Sequence, residues 1–288
     1  MKNEHKVYIA NGAIIFVIGL GVVSWLKSAL IKDAIPPCSE RYATYLAFPE
    51  NVGMGERISD GSIELHLDND VQGLSEYTRV IQSDKDVSNV VFETRLPKGS
   101  NNPRRADGIK GGMGFAWQPR LPKKATSACL TYKVWLPKDF KFAKGGTLPG
   151  LFGGEEPGLT GYDDSDTGFS TNVLWNGRGL PVLRAFTSKL PRRNGRNSNL
   201  GINALPTNRW VEISQEIILN TPGQTDGTLR AWIDGELVHE AADVLYRKNK
   251  KLQISGVLGD LYYDGVRKEY VSPKDTFVRI TPFVLNWN

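Results

Sequence analysis

Apolar and polar residues alternate in short runs along the chain from Asn89 onward. Most of the runs end at or directly before a glycine, proline or asparagine, and the runs read NVVFETRLP, GMGFAWQP, CLTYKVWLP, GFSTNVLWNG, LPVLRAFT, WVEISQEIIL and TLRAWIDG. A period of two residues, in segments rich in β-branched and aromatic side chains, is typical of strands that bury one face. Thirty Gly and sixteen Pro spread among these runs supply the turns. The pattern predicts an all-β protein with long loops and argues against an all-helical one.

The same period assigns side chains to faces, because alternate residues of a strand point to the same side. The residues that share a face in four of the strands are Val91, Glu93 and Arg95; Thr131, Lys133 and Trp135; Ser170, Asn172 and Leu174; and Val182, Arg184 and Phe186. An antiparallel β-sandwich buries one face of each sheet and leaves the other to solvent or ligand. A face lined by Arg, Lys, Trp and Tyr suits an acidic sugar polymer, since rings pack on pyranoses and cations pair with carboxylates. An ordinary solvated face is the alternative.

An uncharged stretch of 19 residues, Val7 to Trp25, lies near the amino terminus. As a helix rising about 1.5 Å per residue, it would span the hydrocarbon core of a bilayer. No small-residue cleavage site follows it, so the pattern favours an uncleaved membrane anchor over a cleaved signal peptide or a buried core helix. We therefore expect an anchor and linker in residues 1–37 and an exported domain, periplasmic or extracellular, in residues 38–288.

Composition limits the chemistry of that domain. Three histidines and two cysteines leave little material for a zinc site, an iron–sulfur cluster or a histidine triad, so we expect no metal or other cofactor. In an oxidising compartment Cys38 and Cys129 would form a disulfide or remain as two buried thiols. The net charge of +5 suits an acidic partner, although solubility alone also explains it. The basic run KLPRRNGR, residues 189–196, lacks interleaved aromatic residues, so we expect no nucleic-acid partner.

Four blocks of sequence carry a resemblance to a known family. They are RLPKGS with the following GGMGFAWQP, LTYKVWLPKDFKFAKGGTLPGLFGG, FSTNVLW and LNTPGQTDGTLRAWIDGELV. These blocks resemble segments that read RYPKGS, KGGKLPGL, FSTRxMW and LNTPGxxDGxLxxWxDG in the alginate and glucuronan lyases of polysaccharide lyase family 14 and the related family 20. The resemblance spans roughly three fifths of the chain. It implies a β-jelly roll with a cleft across one sheet. It also implies an enzyme that cleaves uronic-acid polymers by β-elimination in that cleft.

The resemblance also implies an altered site. The family's reaction is attributed to a lysine of the KGGK segment, a serine and an arginine two residues apart, and a tyrosine pair on the next strand. The matching positions here are Lys144 and Thr147 for the lysines, Ser170 and Asn172 for the serine and arginine, and Arg184 and Phe186 for the tyrosines. Either the site is rebuilt for a different substrate, or it binds without cutting.

The resulting hypothesis is a membrane-anchored polysaccharide lyase whose partner is an acidic polysaccharide. The catalytic candidates are Lys144, Ser170, Asn172 and Arg184, and the substrate-binding candidates are Arg95, Lys133, Arg178, Trp117, Tyr262 and Tyr263. In a rebuilt site, Arg178 or Arg184 would bind the substrate carboxylate, and the candidates for the phenol are Tyr132, Tyr262 and Tyr263.

Two alternatives stay open. The first is a non-catalytic module that binds an acidic glycan on the same scaffold. The second is a glycoside hydrolase, which would need a pair of carboxylates, and the strand-borne candidates for that pair are Glu93, Glu212 and Glu216.

Overall fold

Two antiparallel sheets packed face to face form the described part of the chain. The computed structural model describes residues 35–48, 71–83, 90–105, 107–119, 125–154, 167–187, 195–201, 203–265 and 267–288. The predicted membrane segment, Val7 to Trp25, lies outside these ranges. Within them, no helix combines the length and the apolar character needed to cross a membrane.

The larger sheet, sheet A, has nine strands among the described residues. They are β1 (Thr44–Phe48), β2 (Thr78–Gln82), β3 (Val90–Leu96), β7 (Ser127–Trp135), β12 (Trp210–Ile218), β13 (Gly227–Ile233), β14 (Glu236–Val244), β17 (Thr276–Ile280) and β18 (Phe283–Trp287). Their order is β14-β13-β12-β7-β17-β3-β2, with β18 also paired to β7 and β1 paired to β18. All these pairings are antiparallel.

The second sheet, sheet B, has seven strands in the described ranges. They are β6 (Ala116–Trp117), β8 (Gly145–Gly154), β9 (Gly168–Asn176), β10 (Pro181–Phe186), β11 (Arg196–Asn199), β15 (Ile254–Leu258) and β16 (Tyr262–Tyr263). Their order is β11-β10-β9-β8-β15-β6, and β16 also pairs with β8. The remaining elements are a short parallel pair, β4 (Ser100–Asn101) and β5 (Ile109–Lys110), one helical turn, α1 (Leu74–Tyr77), and two 3-10 turns, Cys38–Glu40 and Lys268–Tyr270.

The apolar faces of the two sheets meet in one core. Leu130 and Val134 of β7 belong to the same buried cluster as Leu151 of β8 and Val173 of β9. Burying one large apolar side chain contributes roughly 1.5–3 kcal/mol, so this layer is the main source of stability. The predicted antiparallel β-sandwich is confirmed.

One buried polar network crosses the core. Pro149 of β8 directs its carbonyl into this layer, where it accepts hydrogen bonds from the Tyr132 hydroxyl at 3.0 Å and the Gln215 amide at 2.8 Å. The Gln215 side-chain oxygen in turn accepts a bond from the Thr171 hydroxyl at 3.0 Å. A buried carbonyl without a partner costs roughly 1–3 kcal/mol, so these donors from sheet A hold β8 in place.

A disulfide fastens the first described segment to the outer face of sheet A. Cys38 is bonded to Cys129 of β7, and neither cysteine is free. Of the two states left open by the sequence, the structure has the disulfide.

A buried carboxylate next to this bond completes the attachment. Glu216 of β12 pairs across the sheet with Cys129, and its side chain is fully buried. It accepts hydrogen bonds from Arg41 at 2.7 Å, from the Tyr42 hydroxyl at 2.7 Å and from Arg230 at 2.9 Å. Burial, reinforced by the Glu216 carboxylate, raises the pKa of Tyr42 to about 12, so its hydroxyl stays a donor at neutral pH.

We expect Glu216→Gln to destabilise the protein by about 3–5 kcal/mol, because it leaves two guanidinium groups facing an uncharged buried partner. The matched control is Glu240→Gln, which removes the partly exposed carboxylate bonded to the same Arg230. Exposed pairs contribute about 1 kcal/mol or less. Urea unfolding gives the free energy of unfolding of both variants. If Glu216→Gln and Glu240→Gln lower it by the same amount, the buried carboxylate is no more important than the exposed one.

The paired change Cys38→Ser with Cys129→Ser should lower the free energy of unfolding by about 4–5 kcal/mol. The bond joins positions separated by 91 residues, and opening so long a loop restores much chain entropy to the unfolded state. Urea unfolding without reductant measures this loss, and wild type with reductant should match the variant. If oxidised wild type and the variant have the same free energy of unfolding, the disulfide does not stabilise the fold.

Candidate functional site

A cavity of about 130 Å³ opens on the face of sheet B that points away from sheet A. We call this cavity the cleft. It is lined by Asn102, Arg104, Thr147, Ser170, Asn172, Leu174, Arg184, Phe186, Leu258, Asp260, Tyr262 and Asp264. Four of the residues predicted from the sequence lie here together, namely Ser170, Asn172, Arg184 and Tyr262.

Strand alternation brings the central residues together. Ser170, Asn172 and Leu174 occupy every second position of β9, and the intervening Thr171 and Val173 are fully buried on the opposite face. On the neighbouring β10, Arg184 lies opposite Asn172, and Phe186 lies opposite Ser170. The faces predicted for these two strands are therefore confirmed at the positions that reach the cleft.

A β-bulge in β8 shapes the floor of the cleft. The register between β8 and β9 shifts between Thr147 and Gly150, which inserts one extra residue in β8. Thr147 lines the cleft, whereas Leu148 is buried in the core. The Asn172 amide donates to the Leu148 carbonyl at 3.2 Å, so the bulge is hydrogen-bonded from the cleft side as well.

An ion pair forms one wall. Arg104 donates to Asp260 at 2.6 Å, with both side chains largely buried. Gly114 permits this position of Arg104, because a Cβ there would lie 2.4 Å from the Arg104 Nη1. Burial raises the pKa of Asp260 although Arg104 opposes the shift. The Tyr262 hydroxyl donates to Asp260 at 3.3 Å, and burial raises the pKa of Tyr262 well above its ordinary value.

A second ion pair lies closer to solvent. The Arg184 Nη1 is 3.4 Å from the Asp264 carboxylate, and the two side chains are 29% and 30% exposed. The Arg184 Nε also donates to the Asn197 side chain at 3.3 Å. Both contacts are long, so Arg184 is the guanidinium of the cleft best able to turn toward a ligand.

Two predicted cations lie on the turns around sheet B. Lys144 is exposed on the turn that precedes β8, and Arg178 is exposed on the turn between β9 and β10. Neither lines the cleft. Of Lys144 and Thr147, which the sequence resemblance assigns to the two lysine positions, the one in the cleft is Thr147.

Two further predicted cations lie on sheet A. Arg95 of β3 donates to the Glu76 carbonyl at 3.1 Å, and Lys133 of β7 lies 3.7 Å from Glu212. The expectation that they share a site with Ser170 is corrected, because a period of two tells which residues share a face and not which sheet they belong to.

The predicted aromatic candidates divide between the cleft and the core. Tyr262 lines the cleft, but Trp117 is only 4% exposed and packs on Phe48 with ring centroids 5.0 Å apart. Tyr263 is fully buried and donates to the Lys141 carbonyl at 2.5 Å. Tyr132 points into the core. The placement of Trp117, Tyr263 and Tyr132 at a substrate site is therefore corrected.

The three carboxylates considered for a hydrolase all lie on sheet A. Glu93 accepts hydrogen bonds from Arg79 and Arg279. Glu212 pairs with Lys133, and Glu216 is enclosed as described above. None of them lines the cleft, so the structure does not support that pair of catalytic carboxylates.

Several cleft residues were missed by the sequence interpretation. Arg104, Asp260 and Asp264 lie on loops without periodicity, and the Arg104–Asp260 contact joins positions 156 residues apart. A weak signal existed in the run DLYYDG, where Asp260 and Asp264 flank the predicted tyrosine pair. In the described part of the chain, no group of three or more His, Cys, Asp or Glu side chains lies close enough to hold a metal ion.

A second cavity, of about 170 Å³, opens between the edge strands β11 and β14. Leu183, Ala185 and Leu229 form its apolar floor, and Arg196 and His239 are among its polar lining residues. Burial and the nearby Arg196 lower the pKa of His239. A charged residue on an edge strand, such as Arg196 of β11, discourages pairing with another sheet, whereas His239 is uncharged at neutral pH.

Solved structures share this fold. The marine PL-14 alginate lyase from Aplysia kurodai is 23% identical with a TM-score of 0.67, and the match covers 86% of this chain and 99% of that one. The alginate lyase vAL-1 from Chlorella virus is 24% identical with a TM-score of 0.62, covering 77% and 92%. A variant of alginate lyase Aly36B in complex with an alginate tetrasaccharide is 19% identical with a TM-score of 0.66, covering 84% and 96%.

Sequence comparison leads to a family. The search of curated proteins returned no match. The family described as Polysaccharide lyase 14 matches residues 84–283, which include every strand of sheet B and the whole lining of the cleft. The chain therefore belongs to the polysaccharide lyase 14 family.

Proposed function

We propose that this protein is a polysaccharide lyase that cleaves a uronic-acid-containing polysaccharide, alginate-like or glucuronan-like, by β-elimination in the cleft of sheet B. One observation carries the proposal. In a chain of the polysaccharide lyase 14 family, Ser170, Asn172, Arg184 and Tyr262 converge in a single cleft on the outer face of one sheet.

The reaction sets the roles of these groups. A base removes the proton at C5 of the uronate, the C4–O bond breaks, and the leaving oxygen takes a proton, which leaves a C4=C5 double bond. Negative charge builds up on the uronate carboxyl group in between, so a cation or amide that binds this group lowers the barrier.

Arg184 and Asn172 are the groups suited to the carboxylate. The Arg184 guanidinium offers a two-pronged donor, and its long contact with Asp264 leaves it able to exchange partners. Asn172 lies directly across the sheet from Arg184 and contributes an uncharged amide donor of lower strength. Ser170 orients a neighbour or the substrate, since elimination needs no covalent intermediate.

Tyr262 suits protonation of the leaving oxygen. Because burial and the adjacent Asp260 raise its pKa, the phenol keeps its proton at neutral pH. It therefore carries the proton that the role of acid requires, whereas the role of base would require it to lose that proton first. Lys144, which does not line the cleft, stays a catalytic candidate by resemblance alone, and the variant below tests whether it is the base.

Binding without cleavage is the second candidate. Thr147, Asn172 and Phe186 all line the cleft at positions where the family resemblance expects lysine, arginine and tyrosine. Three groups that would move protons or carry charge are thus replaced by a hydroxyl, an amide and a phenyl ring. A cleft of this composition holds a sugar chain through hydrogen bonds and ring contacts.

The first test follows ultraviolet absorbance of unsaturated uronate while the full chain, purified in mild detergent, is incubated with alginate, glucuronan and other uronic-acid polymers. Arg184→Ala should lower kcat/KM by roughly 10–100-fold, the loss expected for one charge-assisted contact. Arg209→Ala, which removes an exposed guanidinium paired with Asp234, is the control and should leave kcat/KM unchanged.

The same assay separates the remaining possibilities. Lys144→Ala should abolish turnover if Lys144 is the base, and full activity of this variant would remove Lys144 from the mechanism. Binding of a polymer that stays intact after long incubation would establish the binding module. If the protein neither binds nor cleaves any polymer of the panel, both the lyase and the binding module are refuted.

We also propose that residues 7–25 anchor the protein in a membrane and that the domain from residue 38 onward is exported. The Cys38–Cys129 disulfide supports export, because structural disulfides persist in oxidising compartments. In membrane fractions washed with alkaline carbonate, the full chain should stay in the pellet, and a variant lacking residues 1–37 should be released. Release of the full chain by the wash would contradict the anchor.

A further inference from the structure

The charges of the cleft cancel one another. Among the described lining residues two are cationic, Arg104 and Arg184, and two are anionic, Asp260 and Asp264. Each cation has one of the anions as its partner, at 2.6 Å and 3.4 Å respectively. Clefts that capture polyanions normally concentrate one sign of charge, which raises the local concentration of the polymer. The described lining provides no such excess.

The rest of the lining carries no charge. Its other residues are the polar Asn102, Thr147, Ser170, Asn172 and Tyr262 and the apolar Leu174, Phe186 and Leu258. Hydroxyl and amide groups bind sugar hydroxyls, and apolar side chains cover the apolar face of a pyranose. This surface fits uncharged sugar units as well as it fits a uronate.

The two ion pairs differ in their ability to open. The Arg104–Asp260 pair is short, and its side chains are 16% and 13% exposed. Separating it would leave the Asp260 carboxylate at a largely buried position without the guanidinium that neutralises it, which is strongly unfavourable. The Arg184–Asp264 pair is longer and about twice as exposed. The cleft therefore offers one guanidinium, Arg184, to a substrate carboxylate.

A fully charged polyuronate would meet repulsion here. When a substrate carboxylate binds Arg184, Asp264 loses its cationic partner, and its uncompensated charge repels the carboxylates of the adjoining sugars, because like charges brought together at an interface suppress binding. A chain whose neighbouring sugars are uncharged avoids this repulsion and still contacts the polar and apolar lining.

We infer that, among uronic-acid-containing polymers, the cleft selects chains with sparse free carboxylates, in which one uronate is flanked by uncharged or esterified units, and that Asp264 is the specificity-determining residue. This inference rests on the proposed function, since it names the substrate class of the same cleft. It makes Asp264 a residue that weakens binding of a dense polyanion while the reacting uronate is held by Arg184.

The test compares one polymer in two charge states. Alginate and a partially methyl-esterified sample of the same alginate, matched in length, are titrated into the full chain, and Kd is measured by calorimetry at low and high salt. Wild type should bind the esterified polymer roughly tenfold more tightly and show little dependence on salt. Unsaturated uronate is followed in parallel as the readout of cleavage.

Asp264→Asn is the diagnostic variant, because it keeps the shape of the side chain and leaves Arg184 without its carboxylate partner. It should bind unesterified alginate roughly tenfold more tightly than wild type does, with a steeper dependence on salt. Asp234→Asn is the matched control, since Asp234 forms a similar pair with Arg209 outside the cleft. The control should retain the preference of wild type, and circular dichroism confirms the fold of each variant.

The possible outcomes distinguish failure of this inference from failure of the proposed function. If wild type and Asp264→Asn both prefer unesterified alginate by the same factor, the inference is overturned and the proposed function stands. If wild type prefers the esterified polymer but Asp264→Asn does not shift that preference, Asp264 is not a determinant and the assignment is overturned. If neither polymer binds or is cleaved by any variant, the proposed function fails together with the inference.

Discussion

Pro149 turns a carbonyl into the apolar layer between the two sheets, and a carbonyl in that position must be hydrogen-bonded. Tyr132 and Gln215 of sheet A supply the donors, and Thr171 completes the network from β9. Proline has no N–H to give to a neighbouring strand, so it suits the irregular position of the bulge. The bulge thus depends on the packing of one sheet against the other.

The hydrogen bonds to the Pro149 carbonyl also determine the shape of the cleft floor. The bulge inserts its extra residue between Thr147, which lines the cleft, and Gly150, and the Asn172 amide donates to the carbonyl of the buried Leu148 within this segment. The floor is therefore held from both faces of sheet B. A floor held by hydrogen bonds to its backbone carbonyls on both faces does not depend on the side chains that line the cleft above it, apart from that of Asn172.

The sequence predicted the architecture and part of the site because both follow from alternation. Ser170 and Asn172 share a strand face, and Arg184 reaches the same cleft from the adjacent strand. Alternation carries no information about which sheet a strand joins, and so Arg95 and Lys133 were grouped with residues on the opposite sheet.

Tertiary contacts explain the remaining differences. Arg104 and Asp260 lie on separate loops and meet only in the folded chain, where Gly114 makes room for the guanidinium. Trp117 and Tyr263 have rings large enough for a sugar platform, and the same size makes them efficient at filling the core. Only the packing of the sheets decides between these uses.

The attachment of the first described segment also determines how the fold bears mechanical load. Tension applied to the chain before residue 38 reaches the fold at Cys38 and passes through a covalent bond into β7, which neighbours β12, β17 and β18 within sheet A. The bonds of Glu216 to Arg41 and Tyr42 lie beyond that covalent link and are shielded from the pull.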